Sequence, residues 1–172
     1  VDNAVKIVGS QAQVTAALVT TDTLVSAGSA VVSISDAAFG NGNNATIKAS
    51  ALSEIGGKTT GTVTVDNAVK IVGSTTQLTA ALVTTSTLVS AGSAVVSIND
   101  AAFGNGQNGT TTNTINASVL SEIGGKTTGT VTVDKAVKIV GSQAQVTGAL
   151  VTTSTLVAAG TAVVTINDAA FG

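Results

Sequence analysis

Apolar and polar residues alternate along Gly61–Asn67 (GTVTVDN). Val63 and Val65 fall on one side, and Thr62, Thr64 and Asp66 on the other. A period of two is the mark of a half-buried strand. After a bend at Asp66-Asn67 the segment Ala68–Ser74 (AVKIVGS) sets Val69 and Ile71 against Lys70, which predicts a second short strand. The period then changes. Ser74-Thr-Thr-Gln77 is a capping box in which the Ser hydroxyl accepts a backbone N–H and Gln reaches back; Ser10…Gln13 and Ser142…Gln145 repeat it. Leu78, Ala81 and Leu82 follow at i, i+3, i+4, predicting a short amphipathic helix over 75–84. Its threonines make it weak by propensity, so it must rely on packing.

A third strand is predicted at Ala94–Asp100 (AVVSIND), with Val96 and Ile98 inward and Ser97 and Asn99 outward. A loop with Asn-Gly turn chemistry comes next (AAFGNG, Ala101–Gly106). Beyond it, TIKAS (Thr46–Ser50) or TINAS (Thr114–Ser118) leads into a helix. There Leu52 and Ile55 are spaced i, i+3, Gly56-Gly57 reads as a C-cap and Lys58 suits the C-terminal dipole.

This pattern is stated two and a half times. VDNAVKIVGS at Val1 returns at Val65, and returns as VDKAVKIVGS at Val133, at spacings of 64 and 68 residues. Residues 1–42 and 65–106 differ at only five positions. The chain therefore divides into repeat 1 (residues 1–64), repeat 2 (65–132, with a four-residue insertion near 107–116) and a partial repeat 3 (133–172). The two halves of a repeat share strand, Asx turn, strand, Ser cap and helix, which gives an elementary unit of roughly 32 residues. Each unit has one apolar stripe that a neighbour must cover. The expected fold is an α/β repeat solenoid with short parallel strands and short helices; the alternative is an all-β solenoid or a string of small β domains.

Composition narrows the function. Of 172 residues 44% are hydrophobic and 9% charged, with net charge −2. Cys, His, Met, Trp, Tyr, Pro and Arg are absent. Nucleic-acid binding needs a basic footprint and is disfavoured. Disorder is disfavoured by the wealth of β-branched residues. No apolar run approaches the ~20 residues of a membrane span, and a membrane β-barrel would need aromatic girdles. Disulfides, thiolate metal sites and cysteine nucleophiles are excluded. The chain opens in phase with a repeat and stops within one, as expected of an internal window of a longer polypeptide.

Acidic turns end the strands. If consecutive units stack, their residues form two columns about 4.8 Å per step. One reads Asp2, Ser35, Asp66, Asn99, Asp134, Asn167, and the other Asn3, Asp36, Asn67, Asp100, Lys135, Asp168. The alternation spaces like charges two steps apart and gives a reason for a doubled unit. Two readings stand side by side: turn-forming residues with spaced charge, or weak Ca²⁺ sites at Asp36, Asp66, Asp100, Asp134 and Asp168. Calcium is the one cofactor these residue types suit; otherwise none is expected. Phe39, Phe103 and Phe171 recur once per repeat, either as plugs of their own core or as anchors for a neighbouring chain.

The Thr/Ser rows (Thr62, Thr64, Thr130, Thr132, Ser33, Ser97, Thr165) suit wet strand faces or an ice-binding array. Catalysis would need a Ser–Lys pair or paired carboxylates. The only glutamates, Glu54 and Glu122, lie beside helix ends where capping accounts for them, so no enzyme is expected.

With its GxxxQVTAAL helices, LSEIGGKTTGTVTV joins and Asp-Ala strand ends, the chain resembles tandem repeats of giant secreted bacterial surface proteins, of the cyanobacterial adhesin, S-layer and RTX kind. The calcium-binding nonapeptide of β-rolls is missing. The resemblance implies an extracellular or cell-surface structural protein: a building block of a filament, sheath or layer that assembles with copies of itself. An adhesin stalk or calcium-stiffened binding module is the alternative class.

Overall fold

The computed structural model describes residues 5–22, 25–87, 89–103, 113–155 and 157–169. The chain is an α/β protein of short parallel strands and short helices. The first repeat contributes β1 (Lys6–Gly9), α1 (Gln11–Leu18), β2 (Val31–Ile34), β3 (Thr46–Lys48), α2 (Ala49–Gly56) and β4 (Val63–Val65). The second supplies β5 (Lys70–Gly73), α3 (Thr75–Leu78), β6 (Val89–Ser90), β7 (Val95–Ile98), β8 (Thr114–Asn116), α4 (Ala117–Gly124) and β9 (Val131–Val133). β10 (Lys138–Gly141), α5 (Gln143–Leu150), β11 (Val157–Ala158) and β12 (Val163–Ile166) complete the chain. Among the described residues the helices do form, so the all-β alternative gives way to α/β.

The strands make three sheets, ordered β1-β2-β4-β6, β3-β5-β7-β9-β11 and β8-β10-β12, and every strand pair is parallel. Parallel neighbours need a crossover, and the helices supply it. From β3 to β7 the chain alternates between the first and second sheets, and from β8 to β12 between the third and second. Registration places like on like: Ile47, Ile71, Val96, Val131 and Val157 form one row across the second sheet. All five are buried. From the helices Leu52 and Ile55, Leu78 and Leu82, and Leu120 and Ile123 complete the same core. Each fully buried Ile or Leu contributes about 1.5–3 kcal/mol of apolar burial. That stabilises helices too short to persist alone.

The three capping boxes form as the spacing predicts, with Gln13, Gln77 and Gln145 in the N3 role. Two expectations are corrected. The helix expected over 75–84 is α-helical only to Leu78 and widens into a π turn over Thr79–Val83, where Thr84 donates both its amide (2.9 Å) and its hydroxyl (3.1 Å) to the Thr79 carbonyl. No Ser caps the second helix of the repeat, since α2 and α4 begin after Lys48 and Asn116 with no side-chain cap. The expected glycine C-cap of α2 is Gly57, in an ordinary right-handed conformation (φ −69°). Packing is what excludes a side chain from its neighbour Gly56, because a Cβ there would come within 2.9 Å of the Thr87 Cβ.

The two-residue strands β6 and β11 were not anticipated. The Asn-Gly signal is realised at Asn41-Gly42, where φ is 51° and 89° and Gly40 pairs antiparallel with Asn43. The insertion near 107–116 lies outside the described residues except for 113–116.

Candidate functional site

The candidate acids do not form one continuous column. Asp66 follows β4 in the first sheet, whereas Asn99 follows β7 in the second, so the two are not in register. The column breaks because each repeat opens a new sheet. Within a sheet the acids have separate partners. Asp66 and Asp134 accept hydrogen bonds from the hydroxyls of Ser33 and Ser97 on the adjacent strands. Asp36, Asp100 and Asp168 reach the first amides of helices that began 25 residues earlier. Asp100 accepts from the Thr75 amide at 2.7 Å and its hydroxyl at 3.2 Å, and Asp168 from the Gln143 amide at 3.0 Å; Asp36 accepts likewise from Gln11.

These are charge-assisted contacts at helix N-termini, where the macrodipole favours an anion. Among the described residues no three acidic side chains come together as a metal-holding group. Replacing Asp100 with Ala is expected to cost about 1 kcal/mol, the ordinary scale of a lost helix cap. Asp100→Asn, which keeps an acceptor, should lose less; thermal melts of the two variants check the order.

Ser33 and Ser97 were expected on a wet face and are instead only 2% exposed. They are covered because the next strand brings its Asp over them. Thr64 and Thr132 are half-buried, while Thr62 and Thr130 are exposed. The row through the second sheet reads Lys48, Val72, Ser97, Thr132, Ala158, which is no regular threonine array. Thr59 and Thr127 carry another unanticipated role. Both are buried, and each hydroxyl donates to a carbonyl of the preceding unit, Ala30 or Ala94.

Phe39 and Phe103 lie outside the buried core. Their amides donate to Ala68 and Ala136 at 2.9 and 2.7 Å, and the ammonium groups of Lys70 and Lys138 sit over the rings at 5.5 and 5.9 Å. Phe39 is half-buried and Phe103 is 39% exposed. The core-plug reading therefore fails for these two, since a lysine rather than a core covers the ring. Phe171 lies outside the described residues. Glu54 and Glu122 are exposed in the last turns of α2 and α4, where a carboxylate does not cap. An open groove of about 290 Å³ between α3 and β8 is lined by Thr75, Thr76, Thr79, Thr114, Ile115, Asn116 and Val119, with no charged side chain. No helix among the described residues is long and apolar enough to cross a membrane.

Val96 and Ile98 of β7 are fully buried, and β9 pairs along their outer side. Their counterparts Val164 and Ile166 on β12 are 42% and 54% exposed, with β12 the last strand of its sheet among the described residues.

Taken together, these features define an α/β protein of short parallel strands and short helices. The chain matches no protein-family model, no curated protein and no solved structure.

Proposed function

We propose that the chain is a structural repeat protein of the cell exterior, a solenoid whose units add end to end as the building block of a surface filament, sheath or layer. One observation carries this reading: the strand order repeats with the sequence. A KIVG strand, a VVSI strand and a VTV strand follow one another in β1-β2-β4 and again in β5-β7-β9, in the same register. The third sheet repeats the first two of these in β10 (KIVG) and β12 (VVTI), in the same register. A pattern that starts a new sheet with every repeat has no internal stop. Contacts of this heterologous kind propagate rather than close.

The extracellular setting follows from the resemblance to secreted surface repeats. A mechanism by assembly also suits a chain in which Asp36, Asp66, Asp100, Asp134 and Asp168 are engaged in helix caps and strand-end hydrogen bonds. Negative-stain microscopy of the purified chain at rising concentration tests it. Polymers much longer than a single array are the expected result. Uniform short rods at every concentration would reject the filament and favour a stalk.

A further inference from the structure

We infer that Asn41 is a site of self-modification: its side-chain amide is displaced by the backbone nitrogen of Gly42, and the residue becomes a mixture of isoaspartate and aspartate. The inference is independent of the assembly reading. It rests on how the turn between Gly40 and Asn43 divides its polar groups between those that hold the loop and those that face water.

Gly40 and Asn43 do the holding. Their amides and carbonyls pair in both directions at 2.9 Å. The Asn43 side chain then ties the turn to the chain on either side. Its Nδ2 donates to the Ala37 and Ala38 carbonyls at 3.1 and 2.9 Å, and its Oδ1 accepts from the Ala45 amide at 3.0 Å. Asn41 and Gly42 are left at the tip, both exposed. Among the described residues neither the Asn41 side chain nor the Gly42 amide has a hydrogen-bond partner. With φ at 51° and 89° the two form the left-handed pair of a two-residue hairpin turn. A Cβ built on Gly42 would meet nothing within 4 Å, so no neighbour obstructs rotation of the 41–42 peptide toward the side chain.

The chemistry needs only these two residues and water. The Gly42 nitrogen attacks Asn41 Cγ. The N–Cγ bond forms, the Cγ–Nδ2 bond breaks, and the Gly42 amide proton leaves with Nδ2 as ammonia, giving a five-membered imide. Water then opens one of the two imide C–N bonds. Opening at the Asn41 main-chain carbonyl leaves isoaspartate; opening at Cγ leaves aspartate. Either product adds one negative charge to a chain of net charge −2. Aspartate suits the same turn, since Asp-Gly shares the preference of Asn-Gly. Isoaspartate lengthens the loop by one backbone carbon, so the pairing of Gly40 with Asn43 should open.

Neighbouring asparagines are guarded. Asn43 has both side-chain atoms engaged. Asn44 is exposed, but the amide that would attack it belongs to Ala45 and is donated to Asn43. Asn67 gives its Nδ2 to the Asp36 carbonyl at 2.7 Å.

The test holds the folded chain in mildly alkaline buffer, samples it over time, cuts it at lysine and reads the fragments by tandem mass spectrometry. Residues 7–48 emerge as one fragment carrying Asn41, Asn43 and Asn44, so the three are compared within one molecule. Asn41 is expected to convert at least about tenfold faster than either neighbour, with isoaspartate and aspartate both present. Conversion of Asn43 or Asn44 at the same rate would overturn the inference. A free peptide of residues 37–45 sets the time scale. An Asn41 that stays intact in the folded chain after the peptide has converted shows that the turn protects its tip, and the site is then rejected.

Discussion

Replacing Gly129 with Val should lower the melting temperature of the chain by roughly 4–24 °C. A Cβ at this position would lie 2.7 Å from the carbonyl carbon of Ala94, and no flexible side chain stands there to move aside. The Ala94 carbonyl is also the acceptor for the buried Thr127 hydroxyl. β9 must therefore lift from β7, which strains or breaks that bond and the neighbouring Val96–Thr130 bond. Overpacking costs about 1–3 kcal/mol and a lost buried hydrogen bond about 1–3 kcal/mol more. For a domain of this size each kcal/mol shifts melting by roughly 2–4 °C. Gly92→Ala is the control, because its Cβ would meet nothing within 4 Å. Circular dichroism melts decide the matter: a G129V chain that melts together with G92A removes the close-approach argument.

Leu120→Ala is the second large effect. Leu120 is fully buried on α4, which packs against α5, β8, β10 and the π turn. Truncation leaves a cavity that neighbours on several elements cannot all collapse to fill. Buried Leu→Ala changes cost about 2–5 kcal/mol. Val151→Ala, at a side chain 71% exposed, should stay within about 0.5 kcal/mol of the parent. Urea midpoints of the two variants would need to coincide for the packing assignment to fail. Because α4 touches elements of the second and third sheets, the loss should appear as one transition rather than as the melting of a single unit.

Strands were legible in the sequence wherever alternation was strict. Val63 and Val65 of β4, and Val96 and Ile98 of β7, turn inward as their spacing required. Helix starts were legible where a Ser and a Gln stand three apart, because that cap closes within a single turn. Helix ends were less so, since the widening at Thr79–Val83 depends on where Thr84 finds an acceptor. The acids were found as a repeated set, but their grouping was not. Asp36 bonds to an amide 25 residues away and Asp66 to a hydroxyl 33 residues away, and no local spacing encodes either partner. Phe39 and Phe103 were picked out by their rarity, while the lysines over their rings come from β5 and β10, more than 30 residues further on.

By itself, then, the sequence determined the repeat, the local elements and the faces they bury, because periodicity and capping act over one to four residues. Tertiary structure alone decided which strand lies beside which. Consecutive units do not simply stack; the chain alternates between two sheets, and each repeat starts a new one. That choice turns on contacts 25 to 37 residues apart, such as Gly129 lying flat on Ala94 and Asp134 over Ser97. Such close approaches exist only after the strands have paired, so nothing in the local pattern announces them.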